Sequence, residues 1–543
     1  MAESEHTYDY LIAGSGTAGC VLANRLSADK RNRVCLIEAG PPDKSPLVHI
    51  PSAVGALLFH KTMSWRYTSV PQKHMNGRII PIPRGKVLGG CSSTNGMVYY
   101  RGHPKDFDDW AAWGNTGWSF REVLPYFIRS EKNLDYMDSP WHGSTGPMVV
   151  SNVNRLNPLI NTFLDATDSL GFPRCEDFNA ADPEGFNPRQ GTIHRGRRVS
   201  GVTAFLDPCR YRQNLEVMTD TLVTRVILRE GRAAGLEVNV NGVTHKLYAN
   251  REVILSAGAF GSPQLLMLSG IGKGSELQET GIAVQHDLPG VGKNYHDHLA
   301  IGVIYKTDNS ESYGLSLKAF PRDVLNVFEY LLFRRGPLAS NLFEAMGFMR
   351  SEEGLDRPDV QLVFQPATRP TPKFPIPVGH GYAMNPLLLY PKSRGEVTLA
   401  GPDPHAMPNM DPNLLSNEED IPPLVRCIRV SRQILNSAPF GRYQSVEKLP
   451  GPDVQSDEEL ADYLRSYAVT VHHPVSTCRM GIGERDVVDP ELKVHGIDGL
   501  RVVDASIFPQ IVGGNPNAAV VMVAEKASDM ILGKAAPEPI DLI

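Results

Sequence analysis

Several features that would assign the chain to a common class of protein are missing from its 543 residues. There is no long basic run, and the formal net charge is −6, so we expect no nucleic-acid partner. The seven cysteines form no CxxC pair, and their odd number and scattered positions argue against a disulfide framework or a zinc site. Free thiols suit a reducing compartment, and no metal site is predicted.

Long hydrophobic segments are also missing. No uncharged apolar run reaches membrane-spanning length. The first residues, MAESEHTYDY, lack the basic, apolar and small-residue succession that is typical of a secretory signal. We therefore expect a soluble, cytoplasmic protein, with contact to the periphery of the inner membrane left open.

The composition that is present is ordinary for a globular protein, with 41% hydrophobic and 21% charged residues. The length suggests two linked domains. Residues 8–13 form a short apolar run that predicts a buried strand, residues 17–26 predict a helix, and residues 34–37 predict a second strand. This βαβ unit begins a doubly wound sheet, to which strands at 252–257 and 500–503 are added from distant segments.

A second, largely antiparallel domain is predicted between these distant segments. Residues 387–390 and 396–399 look like two strands on either side of a turn. Five prolines between residues 365 and 378 exclude a regular helix or a central strand and predict a long surface loop. Ser456 and Glu459 fit a capping box, which predicts a helix that runs to about residue 466.

The glycines that follow the first strand form a GxGxxG motif, Gly14, Gly16 and Gly19. Between a strand and a helix, such glycines let a pyrophosphate approach the helix N-terminus. Glu38 ends the second strand, 24 residues beyond Gly14, where a carboxylate accepts ribose hydroxyls and disfavours a 2′-phosphate. FAD and NAD share this motif, so it does not separate them.

Four further blocks of sequence are distinctive. They are residues 85–99 (GKVLGGCSSTNGMVY), residues 258–272 (GAFGSPQLLMLSGIG), residues 502–506 (VVDAS), and the pair formed by His472-His473-Pro474 with Gly514-Asn515-Pro516-Asn517. With the GxGxxG motif they resemble the glucose-methanol-choline (GMC) oxidoreductases, a family of FAD enzymes, from Tyr8 to about Leu532. The resemblance implies an α/β fold (α+β overall), in which a Rossmann-like FAD-binding domain is assembled from discontinuous segments. A substrate domain with a largely antiparallel sheet flanked by helices completes it.

The expected domain boundaries follow the same pattern. Residues 5–155, 196–300 and 486–535 are assigned to the FAD-binding domain. Residues 156–195 form a connecting segment on the substrate side, and residues 301–485 form the substrate-binding domain.

The resemblance implies a cofactor site of small residues and a few polar ones. Its predicted members are Gly14, Gly16, Thr17, Ala18, Gly19, Glu38, Ala39, Gly85, Gly89, Gly90, Ser92, Asn95, Gly96, Met97, Val98, Val223, Ala257, Gly258, Asp504, Ala505 and Asn515. Asp504 is interpreted either as a cofactor contact or as a structural turn cap. Some relatives bond the flavin covalently through a histidine where this chain has Thr94, so we expect FAD to be bound without that link.

The same resemblance implies a catalytic pair, His473 and Asn517. A histidine suits the removal of an alcohol proton because its pKa lies near working pH. An asparagine amide suits stabilisation of a developing alkoxide. If the segment is extended, His472 points away from His473, and it is interpreted as a packed histidine or a secondary substrate contact. Asn515 is interpreted as a turn residue.

The predicted reaction is oxidation of a primary alcohol, aliphatic or aryl, to its aldehyde, with oxygen or a quinone as the electron acceptor. Choline is the alternative substrate. Glu344 lies near the position where choline-oxidising relatives carry a glutamate that can face the substrate, but alkanol-oxidising relatives carry one as well, so it does not separate the two substrates; a structural ion pair is the other interpretation of Glu344. A non-redox lyase or a photodecarboxylase is the alternative from another class. The oligomeric state is not predicted.

One more apolar stretch, residues 328–333, precedes Arg334 and Arg335. We interpret it as a core helix with a charged C-terminal end. The alternatives are a helix that lines the way to the substrate, or contact with a membrane surface.

Overall fold

Two seven-stranded sheets organise the chain, and the computed structural model describes residues 7–153, 155–368 and 378–543. The strands of the two sheets are β1 (Thr7–Ala13), β2 (Val34–Ile37), β3 (Leu215–Met218), β4 (Thr221–Arg229), β5 (Arg232–Val240), β6 (Val243–Leu255), β7 (Leu299–Ala300), β8 (Val303–Thr307), β9 (Ala345–Met349), β10 (Val360–Gln365), β11 (His380–Leu388), β12 (Val446–Leu449), β13 (Val469–Thr470) and β14 (Leu500–Val502).

The helices are α1 (Thr17–Leu26), α2 (Pro46–His49), α3 (Val54–Leu58), α4 (Pro104–Ala112), α5 (Phe120–Ser130), α6 (Pro158–Ser169), α7 (Gly258–Leu268), α8 (Gly274–Glu279), α9 (Phe320–Phe333), α10 (Ile421–Leu435), α11 (Asp457–Tyr467) and α12 (Asn517–Ile531). Short strands outside the two sheets include Glu396–Thr398 and Asn409–Asp411.

The first sheet has the strand order β3-β2-β1-β6-β5-β4, with β14 paired to β6. The pairs β3–β2, β2–β1, β1–β6 and β6–β14 are parallel, so their carboxyl ends meet at one edge. Most of β1 is buried, and α1 and α12 pack on each other beside it. The predicted βαβ unit and the two distant strands are confirmed.

The second sheet has the order β9-β10-β11-β7-β13, with β8 joining β11 to β12, and all its pairs are antiparallel. The predicted antiparallel character of this half is confirmed. α6, α10 and α11 pack against it in a core of their own. α11 begins at the predicted capping box, where Ser456 accepts the Glu459 N–H and Glu459 accepts the Ser456 N–H.

Three sequence interpretations change or remain outside the described residues. Strand Glu396–Thr398 pairs with Asn409–Asp411 rather than with residues 387–390. Asp420 accepts hydrogen bonds from the N–H groups of Lys392 and Ser393, which holds the turn between residue 390 and this strand. The core-helix interpretation of residues 328–333 is wrong, since the apolar side chains of α9 are exposed. Residues 369–377 of the predicted proline-rich loop lie outside the described residues.

Within the described ranges, no helix combines the length and the hydropathy that are needed to cross a bilayer.

Candidate active site

A cavity of about 1450 Å³ opens at the edge of the first sheet where β1, β2, β6 and β14 end. The register aligns these ends, because Ala13 pairs with both Ile37 and Leu255, and Leu255 pairs with Val502. The cavity extends from there to the second sheet, where it reaches Leu387 and Thr470. The cavity therefore lies where open α/β sheets bind their ligands, beyond the carboxyl ends of the strands.

The GxGxxG loop leaves space for a ligand at only one of its three glycines. A Cβ on Gly14 would meet the Ser256 carbonyl oxygen at 2.4 Å, and one on Gly19 would meet the Gly14 carbonyl oxygen at 2.0 Å. A Cβ on Gly16 would have one neighbour, the Ser256 oxygen at 3.9 Å. Gly14 and Gly19 therefore serve chain packing, whereas the space at Gly16 belongs to the cavity.

Two helix N-termini face this space together. Thr17 begins α1 and Asn517 begins α12, and the Thr17 hydroxyl donates a hydrogen bond to the Asn517 side-chain oxygen at 2.7 Å. Both residues line the cavity. Paired N-termini present free N–H groups and positive dipole ends, which suit a pyrophosphate.

Glu38 lies at the end of β2 with one side-chain acceptor position still open. Its Oε2 accepts the Ser15 N–H and hydroxyl at 3.1 and 2.7 Å, and its Oε1 accepts the Gly40 N–H at 2.9 Å. A carboxylate has about four acceptor positions, so one remains on Oε1 for a ribose hydroxyl. Burial raises the pKa of this carboxyl.

Asp504 combines the two roles considered for it. It accepts the Gly258 N–H at 2.8 Å, the Ser262 hydroxyl at 2.6 Å and the Ser506 N–H at 2.8 Å, so it caps the turn after β14 and ties it to α7. It also lines the cavity, next to Gly258. A Cβ on Gly258 would meet nothing within 4 Å, so this glycine, like Gly16, borders open space.

Most of the predicted cofactor residues border this one cavity. Those that line it are Gly14, Gly16, Thr17, Ala18, Glu38, Ala39, Gly85, Gly90, Asn95, Gly96, Met97, Val98, Val223, Ala257, Gly258, Asp504, Ala505 and Asn515. Gly19, Gly89 and Ser92 do not. Ser92 instead bridges the Gly89 carbonyl and the Gly201 N–H. The open glycines, the helix N-termini and the spare acceptor on Glu38 fit a dinucleotide such as FAD.

Arg198 supports the part of this wall that follows Gly90, and no sequence motif pointed to it. Its guanidinium is 2% exposed and donates to the Val48 carbonyl, the Asn95 carbonyl and the Asn95 side-chain oxygen at 2.9, 2.7 and 2.7 Å. Burial lowers its pKa to about 9. Asn95 also accepts the N–H of Met97, whose backbone is left-handed, so Arg198 holds the turn that lines the cavity.

At the other end of the cavity, His473 is presented by a sharp turn. His472 has a left-handed backbone (φ +67), so the segment is not extended there, and both histidines line the cavity. Arg84 donates to the His472 carbonyl, and buried Asp297 accepts the His473 backbone N–H at 2.8 Å. Burial raises the pKa of Asp297 to about 7.

His298 determines which nitrogen of His473 carries the proton. His298 Nε2 lies 3.1 Å from the Val512 carbonyl oxygen, which only accepts, so Nε2 is protonated. Burial lowers the pKa of His298 to about 3, which leaves its Nδ1 as an acceptor. This Nδ1 lies 3.0 Å from His473 Nδ1, so His473 Nδ1 is the donor and its Nε2 carries the lone pair that can accept.

Asn515, not Asn517, lies beside that electron pair. The Asn515 amide nitrogen is 3.3 Å from His473 Nε2. The Asn517 side chain is instead bonded to Thr17 at the start of α1. Asn517 is the first residue of α12, and its side chain contacts Thr17 rather than His473, so its catalytic role stays a prediction.

The loop that carries Asn515 is held from a distant helix. Asp106 of α4 accepts the Gly513 N–H at 2.7 Å and the Tyr390 hydroxyl at 2.8 Å. Arg357 also lies 3.1 Å from it. Burial raises the pKa of Asp106 to about 6. This anchor fixes both Asn515 and the Val512 carbonyl that orients His298.

Burial also keeps His473 neutral. Desolvation, and then the neighbouring His298, Arg84 and His472, lower its pKa well below the ordinary value. The neutral ring, with an unprotonated Nε2, is the form that accepts a proton.

Glu344 does not line the cavity, which corrects its predicted place at the substrate. It is fully buried and accepts the Asn157 N–H at 2.7 Å, the Ser340 hydroxyl at 2.7 Å and the Tyr313 hydroxyl at 2.9 Å. It therefore ties α6 to the loop before β9. Among the described residues, the carboxylates that line the cavity are Glu38, Asp504 and Asp323, and Asp323 is paired with Arg322.

The wall of the cavity between His473 and α9 is mainly apolar. Its members include Val98, Leu342, Phe343, Met346, Val363, Leu387, Val327 and Leu338, with the amides Gln361, Gln365 and Asn385. This surface suits an uncharged substrate with an apolar body.

The residues that sequence reasoning missed share one property. His298, Asp297, Arg84 and Asp106 lie far from residue 473 in the chain and join it only in the folded protein. The one available signal was the run Tyr295-His296-Asp297-His298, in which three ionisable side chains directly precede a buried strand.

Comparison with known proteins agrees with this geometry. The GMC oxidoreductase family matches residues 8–300 with its N-terminal domain and residues 391–524 with its C-terminal domain. An alcohol dehydrogenase [acceptor] of Pseudomonas putida is 42% identical over 529 residues, 97% of this chain and 96% of that protein. An oxygen-dependent choline dehydrogenase of Photobacterium profundum is 40% identical over 98% of this chain and 94% of its own length.

Solved structures give the same result. Pyridoxine 4-oxidase from Mesorbium loti matches with a TM-score of 0.87 at 33% identity, covering 96% of this chain and 98% of that one. Formate oxidase of Aspergillus oryzae matches with a TM-score of 0.89 at 30% identity, covering 97% and 98%. The predicted fold class, family and use of FAD are confirmed. The chain belongs to the GMC oxidoreductase family of FAD-dependent enzymes, and it is an oxidoreductase that acts on alcohols.

Proposed function

We propose that the protein oxidises an uncharged primary alcohol, aliphatic or aryl, to its aldehyde, with His473 as the base. The observation that carries this proposal is the line of contacts from the Val512 carbonyl through His298 to His473 Nδ1, together with the Asn515 amide 3.3 Å from His473 Nε2 at the cavity wall.

In the proposed reaction, the substrate hydroxyl lies between His473 and Asn515. Its proton passes to His473 Nε2, and the carbon loses a hydride, so the alcohol gives up two electrons and becomes a carbonyl. FAD, when bound, supplies the hydride acceptor. The Asn515 amide, which lies 3.3 Å from Nε2, donates to the oxygen as negative charge develops on it.

The cofactor is assigned to the other end of the cavity. Gly16 and the start of α1 and α12 would receive the pyrophosphate, and Glu38 would accept a ribose hydroxyl. Asn517 then belongs to this end. Thr94 lines the cavity and has no ring nitrogen, so the prediction of FAD without a covalent link at that position stands as part of the proposal.

The substrate is proposed to be uncharged because, among the described residues, the carboxylates that line the cavity are Glu38 and Asp504 at the cofactor end and Asp323, which is paired with Arg322. Glu344, which was considered as a contact for choline, is engaged with Asn157, Ser340 and Tyr313 outside the cavity wall.

The test is reduction of the bound flavin without air. The purified protein is mixed with straight-chain primary alcohols, benzyl alcohol, choline or glucose, and the visible flavin absorbance is followed. We expect bleaching by the uncharged alcohols; admission of air then separates a fast-recovering oxidase from a dehydrogenase that needs a quinone. Preferential bleaching by choline would overturn the substrate assignment, and no bleaching by any alcohol would favour a lyase or photochemical enzyme.

The matched variant is His473→Ala. A general base contributes about 10²–10⁴-fold, so the reduction rate should fall by at least about 10²-fold while FAD stays bound. An unchanged rate in the FAD-loaded variant would refute His473 as the base.

A further inference from the structure

Helix α9 exposes its apolar side chains and turns its polar side chains towards the protein. The side chains turned towards the body of the protein are polar ones, Arg322, Asp323, Asn326 and Glu329, together with Tyr330. The exposed side chains are apolar: Phe320, Val324, Leu325, Phe328, Leu331 and Leu332. A surface helix of a globular protein normally buries its apolar stripe, so this exposed stripe, called here the apolar face of α9, requires a partner.

The exposed side chains in and around α9 are of only two types. Between residues 315 and 335, every exposed side chain is apolar or cationic, and the cations are Lys318, Arg334 and Arg335. The two acidic residues of this stretch are less exposed and paired, Asp323 with Arg322 and Glu329 with Arg155. The stretch holds ten of the 23 large hydrophobic side chains that are exposed among the described residues, which makes it the main apolar patch of that surface.

We propose that the apolar face of α9 docks on an anionic lipid surface. A bilayer interface needs an apolar stripe to bury and cations at its edges to meet lipid phosphates, and this helix offers both. A protein interface normally has a polar rim that forms hydrogen bonds, and no uncharged polar side chain between residues 315 and 335 is exposed. A second copy of the chain would bring the same cations against one another.

Docking here would place the cavity against the membrane. Asp323, Asn326 and Val327 of α9 line the cavity, and so does Leu315 just before it. An apolar alcohol could pass from the bilayer to the cavity along this wall. The docking itself does not depend on the proposed activity, because it rests on the exposed surface alone.

The test is cosedimentation of the full-length, FAD-loaded protein with vesicles. One set contains phosphatidylcholine alone and the other contains phosphatidylcholine mixed with phosphatidylglycerol. We expect binding to the mixed vesicles, weaker at high salt. The double variant Leu325→Glu and Phe328→Glu should lower the partition coefficient by roughly tenfold or more, since it removes apolar burial and adds repulsion.

Two controls test whether binding is specific to α9 and to anionic lipid. Tyr211→Glu changes an exposed side chain away from α9 and should bind vesicles like the parent protein. Lys318→Gln and Arg335→Gln should each cost about fivefold, and only on the anionic vesicles. Failure of the parent protein to bind either vesicle overturns the proposal. So does a double variant that binds vesicles normally but loses an oligomer seen by sedimentation velocity, because a second copy then covers the face.

Discussion

The two ends of the cavity are formed by different kinds of chemical groups. At the end assigned to the cofactor, called here the cradle end, the groups that face the cavity are mostly main-chain groups and two carboxylates, Glu38 and Asp504. They are supplied by the contiguous segment 14–38 and by short blocks near 90, 258 and 504. At the catalytic end, side chains from three separate segments meet, His298, His473 and Asn515, and a main-chain carbonyl orients them. The cradle end can accept a ligand because its backbone leaves space. The catalytic end depends on the exact positions of a few side-chain nitrogen atoms.

This difference determines how each end tolerates change. A cradle of backbone groups fails when a side chain fills it, even though the fold is intact. A series of hydrogen bonds loses catalytic rate gradually, because removal of one bond leaves the others in place. Substitutions that affect one end and leave the other unchanged therefore test whether cofactor binding and catalytic rate can be lost separately.

The largest effect is expected for Gly16→Val. A Cβ at this position has only the Ser256 oxygen at 3.9 Å, so the protein should fold, yet the branched side chain fills the pyrophosphate space and FAD incorporation should be lost. Flavin absorbance per polypeptide, with the thermal unfolding of the apoprotein, measures both effects. Gly19→Val is the contrast: its Cβ meets the Gly14 oxygen at 2.0 Å, so it should unfold the protein. A Gly16→Val protein with full flavin content would contradict the assignment.

The next effect distinguishes two asparagines that are two residues apart. Asn515→Ala removes the amide beside His473 Nε2, and loss of one such donor costs about 10²–10³-fold in rate, with FAD retained. Asn517→Ala removes the bond to Thr17 at the cradle and should weaken FAD binding more than it slows reduction of the bound flavin. Rapid anaerobic mixing with alcohol and titration of the apoprotein with FAD measure the two quantities. The reverse pattern would restore Asn517 as the catalytic partner.

A smaller effect is expected for His298, which acts through His473. His298→Leu removes the acceptor for His473 Nδ1–H, so the ring loses its fixed tautomer and the reduction rate should fall roughly tenfold, part of the general-base contribution. His298→Asn keeps an acceptor oxygen near the position of Nδ1 and should recover part of that loss. Equal rates in the two variants would show that His298 only fills space.

The smallest effect concerns pH. Burial and neighbouring cationic groups lower the pKa of His473, so the neutral base persists as the pH falls through 6.5, the ordinary histidine value. The base-dependent loss of kcat/KM should therefore lie below pH 6.5. A half-loss above pH 7 would indicate that the ring is stabilised as a cation. The profile is measured with a neutral alcohol whose own ionisation lies far outside this range.

The sequence predicted the cradle much better than the catalytic end, for a physical reason. Gly14, Gly16 and Glu38 belong to one βαβ unit, so local patterns fix their relative positions. His298 could not be predicted, because 175 residues separate it from His473 and only tertiary pairing of the second sheet joins them. Asn515 and Asn517 look equivalent in an Asn-Pro-Asn sequence, and the start of α12 decides which one faces His473.

Two other positions were hard to predict for related reasons. Glu344 matched a position in relatives, but its partners Asn157 and Tyr313 come from segments that sequence spacing does not place. α9 has the period of an ordinary amphipathic helix, and a period does not tell which side of a helix faces the protein.

The order of strands in the first sheet has a consequence for biosynthesis. β1 pairs with β6, and β6 pairs with β14, so the sheet is completed by a segment that leaves the ribosome almost five hundred residues after its first strand. Asp504, which closes the cradle, and α12, whose start meets Thr17, come later still. A nascent chain therefore has no complete binding site for the flavin. Loading of FAD must follow release of nearly the whole polypeptide, and a truncated product of translation would carry no colour.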